Sequence, residues 1–285
     1  MTSPVFIAET SATIGLGHAV RCTTLVAAAA KRWPNVSFLL SESNETVSSL
    51  AAKFAVEVQS LSNGGWSAAG KTAAAAIADR PNQLVIVDSP NIDQEWIDAV
   101  RAAGRVVIYF GGTGSAMLRA DGCVWPDVCP DTPARTDDLV CGIEYAPLAP
   151  EYVDRPTRSV TGPPKRILVT TGGTDHYDLC SLALRTLDHV LGDPVEVKVV
   201  MGAHFDNADS ISKHAAASRH RVELVPSPPG LWDLIDWADL AISGGGGTLL
   251  ELACLGVPAV GIAIWPIQKP LVDHCARRGT ILGID

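Results

Sequence analysis

Short apolar runs recur along the chain. Each is stopped by glycine, proline or a polar turn and followed by a stretch with apolar residues at helical spacing. In the first half, Val5–Ala8, Val36–Leu40, Val56–Val58, Leu84–Val87 and Val106–Tyr109 predict strands. Ala19–Lys31, Glu45–Phe54, Trp66–Ala78 and Ile92–Ala103 predict the helices between them. Cys123–Cys141 carries neither pattern and reads as irregular. Val153–Lys165 is rich in proline, polar and small residues and reads as a linker. The alternation then restarts, with strands at Arg166–Thr170, Val195–Met201, Val222–Val225, Leu240–Ile242 and Val260–Ile264. Helices are predicted at His176–Val190, Ser210–Ala217, Leu231–Trp237, Thr248–Leu255 and Pro270–Arg278, with one more strand before the last residue, Asp285. Strands alternating with helices predict an α/β fold of two Rossmann-like, doubly wound parallel-sheet domains. Their boundaries are read as 1–155 and 164–285, with strand ends facing a shared cleft.

The most informative stretch is Ala238–Gly261. An apolar strand runs into four glycines, Gly244–Gly247, and a helix opens at Thr248 and closes at Gly256 and Pro258. Glycines let the backbone approach a ligand closely, and the first N–H groups of a helix point at whatever sits there, so this order builds an anion site. Thr248 is placed as an N-cap or an extra hydroxyl donor. Glu251, one turn on, can reach a sugar diol on a bound nucleotide. The same residues also suit a tight turn packing a helix on a sheet, with Glu251 complementing the helix dipole. No Lys-Ser/Thr pair follows the glycines and the spaced G-x-G-x-x-G is absent, so this is neither a Walker loop nor a dinucleotide fingerprint.

The first half opens with the same layout. After Val5–Ala8 comes a loop bracketed by Gly15 and Gly17, then His18 at the start of a helix and Arg21 one turn later. A neutral imidazole there can take a proton from water or a hydroxyl; the alternative is a capping histidine in a glycine turn. Asp88 ends its strand, where open α/β sheets place ligands, although a loop carboxylate or helix N-cap reads as well. Further strand-end glycine loops stand at Phe110–Gly114 and Thr171–Asp175.

Composition narrows the partners. The chain has 285 residues, enough for two α/β domains, and a net charge of −9, which argues against nucleic acid or anionic membrane as partners. The 7 cysteines lack C-x-x-C spacing and are expected to be reduced thiols of a cytoplasmic protein, holding neither a disulfide framework nor zinc. No H-x-x-x-H or H-E-x-x-H pair points to a metal, no G-x-S-x-G elbow points to a serine hydrolase, and no stretch is apolar and long enough to span a membrane.

These motifs resemble a family. Gly15-Leu16-Gly17-His18-Ala19-Val20-Arg21-Cys22 is similar to the G-x-GH-x-x-R-C segment of the UDP-sugar hydrolases of pseudaminic acid biosynthesis, relatives of the MurG glycosyltransferase with the two-domain GT-B fold. Val85–Asp88 with Asp93 and Trp96, Cys141–Tyr152, Gly172–Asp175 and Asp239–Glu251 extend the resemblance over most of the chain. It implies metal-free, cofactor-free hydrolysis of a UDP-linked sugar, in which water attacks the anomeric carbon and the diphosphate leaves. His18 is then the catalytic residue. Gly15, Gly17, Arg21, Gly173, Thr174, Gly245, Gly246, Gly247, Thr248 and Gln268 bind phosphate or nucleotide, Glu251 binds the ribose, and Asp88 and Tyr145 face the sugar.

The sequence departs from the family pattern at three places. Ile267-Gln268 stands for the usual Asn-Gln, Ser89-Pro90 follows Asp88 where an aromatic is usual, and Phe110-Gly111-Gly112 stands where paired aspartates are frequent. The nucleotide half is therefore expected to be retained and the sugar to differ. A glycosyltransferase with an acceptor hydroxyl in place of water, and a non-catalytic nucleotide-sugar binder, remain as alternatives.

Overall fold

A computed structural model describes residues 3–10, 17–61, 77, 84–111, 118–129, 139–202 and 205–284. The helix expected at Trp66–Ala78, Gly15 and the Gly112–Gly114 part of the loop after Phe110 lie outside the described residues, Ile77 excepted. Contacts divide the chain into two compact units, Met1–Pro147 and Leu148–Asp285.

The first unit is built on β1 (Val5–Ala8), β2 (Ser37–Leu40), β3 (Val58–Ser60), β4 (Leu84–Asp88), β5 (Val106–Phe110), β6 (Gly122–Trp125) and β7 (Leu139–Cys141). Its helices include α1 (Gly17–Ala30), α2 (Glu45–Ala52) and α3 (Gln94–Ala102). All the strands are parallel, in the order β3-β2-β1-β4-β5-β6-β7, with Val5 level with Ser37 on one side and with Val85 on the other. Side chains alternate across a strand. Phe6 and Ala8 of β1 and Phe38 and Leu40 of β2 therefore pack with Ala19, Cys22 and Val26 of α1 and Val47 and Ala51 of α2. Val5, Ile7, Val85 and Val87 turn to the opposite face and meet Trp96, Ile97 and Val100 of α3. Both faces are covered, which is why β1 is apolar at every position. Asn44 caps α2 by accepting from the Val47 N–H (3.2 Å), and Asp93 caps α3 by accepting from the Trp96 N–H (2.8 Å).

The stretch Cys123–Cys141, expected to be irregular and to hold free thiols, corrects both expectations. It supplies β6 and β7 at one edge of the sheet, and Cys129 and Cys141 form a disulfide that ties β7 to the loop after β6. The other cysteines among the described residues are free thiols.

The second unit holds α4 (Pro150–Val153), β8 (Arg166–Thr170), α5 (Leu179–Val190), β9 (Glu196–Met201), α6 (Ala208–Ala217), β10 (Arg221–Pro226) and α7 (Trp232–Trp237). It continues through β11 (Leu240–Gly244), α8 (Thr248–Leu255), β12 (Ala259–Ile262), α9 (Lys269–Arg277) and β13 (Ile281–Ile284). Its sheet is again all parallel, in the order β10-β9-β8-β11-β12-β13. Ile167, Val169, Val197 and Val199 bury one face against Cys180, Leu184 and Leu187 of α5 and Ile211 of α6. Among the described residues no helix is long and apolar enough to cross a membrane.

Residues 148–155, read from sequence with the first half, belong to the second unit, and the expected linker is fastened to it. Arg155 pairs with Asp233 (2.7 Å), the Thr157 hydroxyl donates to the Cys254 carbonyl (3.1 Å), and the Arg158 N–H donates to the Leu255 carbonyl (2.9 Å). The last two bonds close over the end of α8. There Gly256 takes the left-handed conformation (φ +73°), and a Cβ on it would strike the Arg158 carbonyl oxygen. Gly256→Ala is expected to lower stability by roughly 1–2 kcal/mol from backbone conformation alone, and further through that clash. Denaturant titration checks this; an unchanged midpoint would contradict it.

Candidate functional site

In each sheet the strand order reverses beside the first strand, between β1 and β4 and between β8 and β11. Open parallel sheets place ligands outside the carboxyl ends of strands at such a point. Each unit concentrates unusual chemistry there.

In the first unit, Asp88 is the last residue of β4 and is fully buried. His18 and Arg21 descend on it from the first turns of α1. His18 Nδ1 lies 2.7 Å from Asp88 Oδ1 and 3.2 Å from Arg21 Nη2; the shorter contact is to a carboxylate, which only accepts, so Nδ1–H donates to Oδ1. Arg21 donates through Nε to Oδ2 (2.6 Å) and through Nη2 to Oδ1 (2.6 Å), and its guanidinium lies over the Phe110 ring at 5.3 Å. Burial alone would lower the Arg21 pKa; the charge and hydrogen bonds of Asp88 outweigh it and hold the guanidinium above its ordinary value. Burial pushes the neighbouring Cys22 thiol well up, so it is no nucleophile.

Asp88, expected to face the sugar, is thus closed off from solvent with both oxygens engaged. It holds the His18 ring through Nδ1 and anchors Arg21 through both oxygens. A second carboxylate, missed in the sequence, holds the turn after Asp88. Glu9 is buried; it accepts from the Ser89 hydroxyl and from Asn91 Nδ2 (2.9 Å), and its N–H donates to the Asp88 carbonyl (3.1 Å). Its one signal was a carboxylate directly after a fully apolar strand. Gly17 is the first residue of α1. Tyr145 is 48% exposed on a 3-10 turn after β7, with its N–H on the Gly142 carbonyl (3.1 Å).

In the second unit the two glycine loops differ. Gly244 and Gly245 are packing glycines. A Cβ on Gly244 would lie 2.9 Å from Ile264 Cδ1 and from the Thr171 carbonyl oxygen, and one on Gly245 would lie 2.7 Å from Val272 Cγ2. Among the described residues nothing lies within 4 Å of a Cβ added on Gly246 or Gly247. Helix α8 has as its N-cap Gly247, which has no side chain to cap it, and not Thr248. Its hydrogen bonds begin from Leu249 to the Gly246 carbonyl (3.0 Å) and from Leu250 to the Gly247 carbonyl (2.9 Å), so the N–H groups of Gly246, Gly247 and Thr248 precede the ladder.

The loop Gly172–Asp175 is filled by its own carboxylate. Asp175 Oδ1 accepts from the Leu179 N–H (2.8 Å) and Oδ2 from the Cys180 N–H (3.0 Å), occupying the N-terminus of α5. Gly173 and Thr174 therefore lie beside a helix terminus that already carries an anion.

Glu251 sits on the first turn of α8, bonded to the Tyr152 hydroxyl of α4. Burial raises its pKa to about 7, against the lowering effect of that hydrogen bond. Tyr152 itself packs edge-on to Trp232 with ring centroids 6.3 Å apart. Gln268 turns its Oε1 to the N–H groups of Ile264 (2.9 Å) and Trp265 (3.3 Å), so this end of the amide shapes the loop after β12.

No family model and no curated protein matches the chain. Solved structures do. MurG of Acinetobacter baumannii is similar with a TM-score of 0.62 and 15% identity, over 99% of this chain and 86% of that one. Anabaena Alr3699/HepE, solved in complex with UDP-glucose, is similar with a TM-score of 0.64 and 11% identity, over 91% and 80%. UDP-GlcNAc 2-epimerase of Neisseria meningitidis, solved bound to UDP-GlcNAc, gives 0.58 and 12%, over 98% and 86%. At such identities these likenesses show the fold: two Rossmann-like parallel-sheet domains of the GT-B class.

Two predictions separate the packing glycines from the others and fix the state of Glu251. Gly246→Val is expected to keep the unfolding midpoint, whereas Gly245→Ala is expected to cost roughly 1–3 kcal/mol of stability by overpacking; thermal unfolding of both variants checks this. For Glu251, the folded pKa lies above the usual value, so its proton is held more tightly in the native state. Its contribution to stability is present below about pH 4.5 and is lost as pH rises through about 7. Glu251→Gln cannot ionise and is expected to gain stability relative to the parent between those pH values. A difference constant from pH 4.5 to 8 would contradict this.

Proposed function

We propose that the protein hydrolyses a nucleotide-diphospho-sugar, with uracil as the base, at the anomeric carbon, releasing free sugar and nucleoside diphosphate without a metal. The observation that carries this reading is the His18–Asp88 pair: an imidazole at a strand-end crevice whose Nδ1–H is held by a buried carboxylate at 2.7 Å, leaving Nε2 as proton acceptor. Water gives that nitrogen its proton as its oxygen bonds the anomeric carbon. The bond from that carbon to the diphosphate oxygen breaks, and the electron pair leaves with the diphosphate.

The leaving group's charge is met by fixed dipoles. Gly246, Gly247 and Thr248 offer backbone N–H groups at the uncapped end of α8, with the helix dipole behind them. Glu251 takes the ribose hydroxyls. The similarity to the hydrolases of pseudaminic acid biosynthesis in Gly15–Cys22 supports the reaction class, and the UDP-sugars in the similar solved structures support the nucleotide.

A second reading, transfer of the sugar to an acceptor hydroxyl, is favoured by the likeness to MurG and to a structure described as a glycosyltransferase from Rickettsia africae. His18 serves as base in both. The two part on product: hydrolysis releases free sugar from a UDP-sugar in EDTA with no acceptor present, and transfer does not. His18→Ala is expected to lower turnover by roughly 10²–10⁴ while leaving UDP affinity unchanged. Asp88→Asn is expected to lower turnover as well, and also to cost about 3 kcal/mol of stability, because Arg21 loses its counter-ion. Full activity in His18→Ala would remove the histidine from the mechanism.

A further inference from the structure

The second unit carries an aromatic group that the proposed chemistry does not use. His176 and Tyr177 follow β8, and Trp265 follows β12. The His176 and Trp265 rings meet edge-on with centroids 6.2 Å apart, and the Tyr177 and Trp265 rings tilt together at 5.8 Å. In the sheet, β11 lies between β8 and β12, so these contacts join the loops on either side of the strand that ends in Gly244–Gly247. The same two loops close on the first of those glycines, Thr171 from one side and Ile264 from the other.

The rings are open to solvent, with Trp265 43%, Tyr177 59% and the neighbouring Ile267 55% exposed. A cluster of exposed aromatic rings beside an open backbone cradle is an apolar face awaiting a partner. Glu251, Tyr152, Leu231 and Trp232 contact one another and share no residue with this arch. With ribose on Glu251, the nucleoside is held by that group. The group at the other end of the diphosphate is left for the arch.

We propose that Trp265, braced by His176 and Tyr177, is the specificity-determining platform for the sugar, packing its ring against the C–H face of the pyranose. The inference rests on the reading of Gly246–Thr248 as the diphosphate cradle. A flat ring recognises a sugar face by dispersion and selects against sugars whose axial hydroxyls interrupt that face. Ile267, in the same loop, extends the apolar character.

The test is calorimetric titration of the full chain with UDP, UDP-glucose and UDP-N-acetylglucosamine, in the parent, Trp265→Ala, Trp265→Phe and Tyr177→Leu. Trp265→Ala is expected to weaken at least one UDP-sugar by about tenfold, the scale of one lost stacked face, with UDP affinity and the thermal midpoint unchanged. Trp265→Phe is expected to restore most of the loss, and Tyr177→Leu to show a smaller one. Equal weakening of UDP and UDP-sugars, or no weakening of either UDP-sugar, would overturn the platform while leaving the cradle standing. Failure of UDP to bind the parent chain would instead overturn the cradle, and the platform with it.

Discussion

A sheet whose strands all run in one direction must send every connection back across one of its faces. Where strand order reverses, the connections on either side part to opposite faces, and the backbone between them is left uncovered at the carboxyl end. This constraint acts twice in the chain, between β1 and β4 and between β8 and β11. It gathers Asp88, His18 and Arg21 in one unit and Gly244–Thr248 in the other. The apolar cores keep the strands in register, and that register sets where each strand stops and therefore which side chain stands at its end.

The two glycine loops of the second unit show how a small difference decides a role. Both follow a buried strand and precede a helix. In Gly172–Asp175 the chain supplies its own anion, since the Asp175 carboxylate takes the first N–H groups of α5. In Gly244–Gly247 the N-cap is a glycine with no side chain to do so, and among the described residues nothing lies beside a Cβ added on the last two glycines. The first stabilises a helix; the second leaves the backbone N–H groups that the proposed diphosphate site uses. In the first unit the same filling appears with side chains: the buried carboxylate of Asp88 holds an imidazole and a guanidinium.

Much of this was legible in the sequence because strands buried on both faces are continuous apolar runs, as in Val5–Ala8 and Ile167–Val169, and because Gly244–Gly247 punctuates strand and helix sharply. His18 and Arg21 were legible as a pair from their spacing on one helix face. The edge strands β6 and β7 were not, being short and set among proline and acidic residues. Nor was the Cys129–Cys141 disulfide, since twelve residues of separation without a motif signals nothing. The place of Asp88 needed its burial, since in sequence it reads equally as a ligand-facing group or a loop carboxylate, and that of Asp175 needed its hydrogen bonds, since in sequence it is only the last residue of a glycine loop. Glu9 and the aromatic arch are assembled from residues distant in the chain, so only the fold brings them together.

The central claim is that the open helix terminus at Gly246–Thr248 binds the diphosphate of a nucleotide without a metal. A thermal-shift titration with UDP, CDP, GDP and TDP, each in Mg²⁺ and in EDTA, tests it most directly. A ligand that binds only the folded state stabilises it by about 2.7 kcal/mol at a hundredfold excess over Kd. The account predicts stabilisation by UDP that is indifferent to EDTA. No stabilisation by any of the four, or stabilisation that disappears in EDTA, would contradict it.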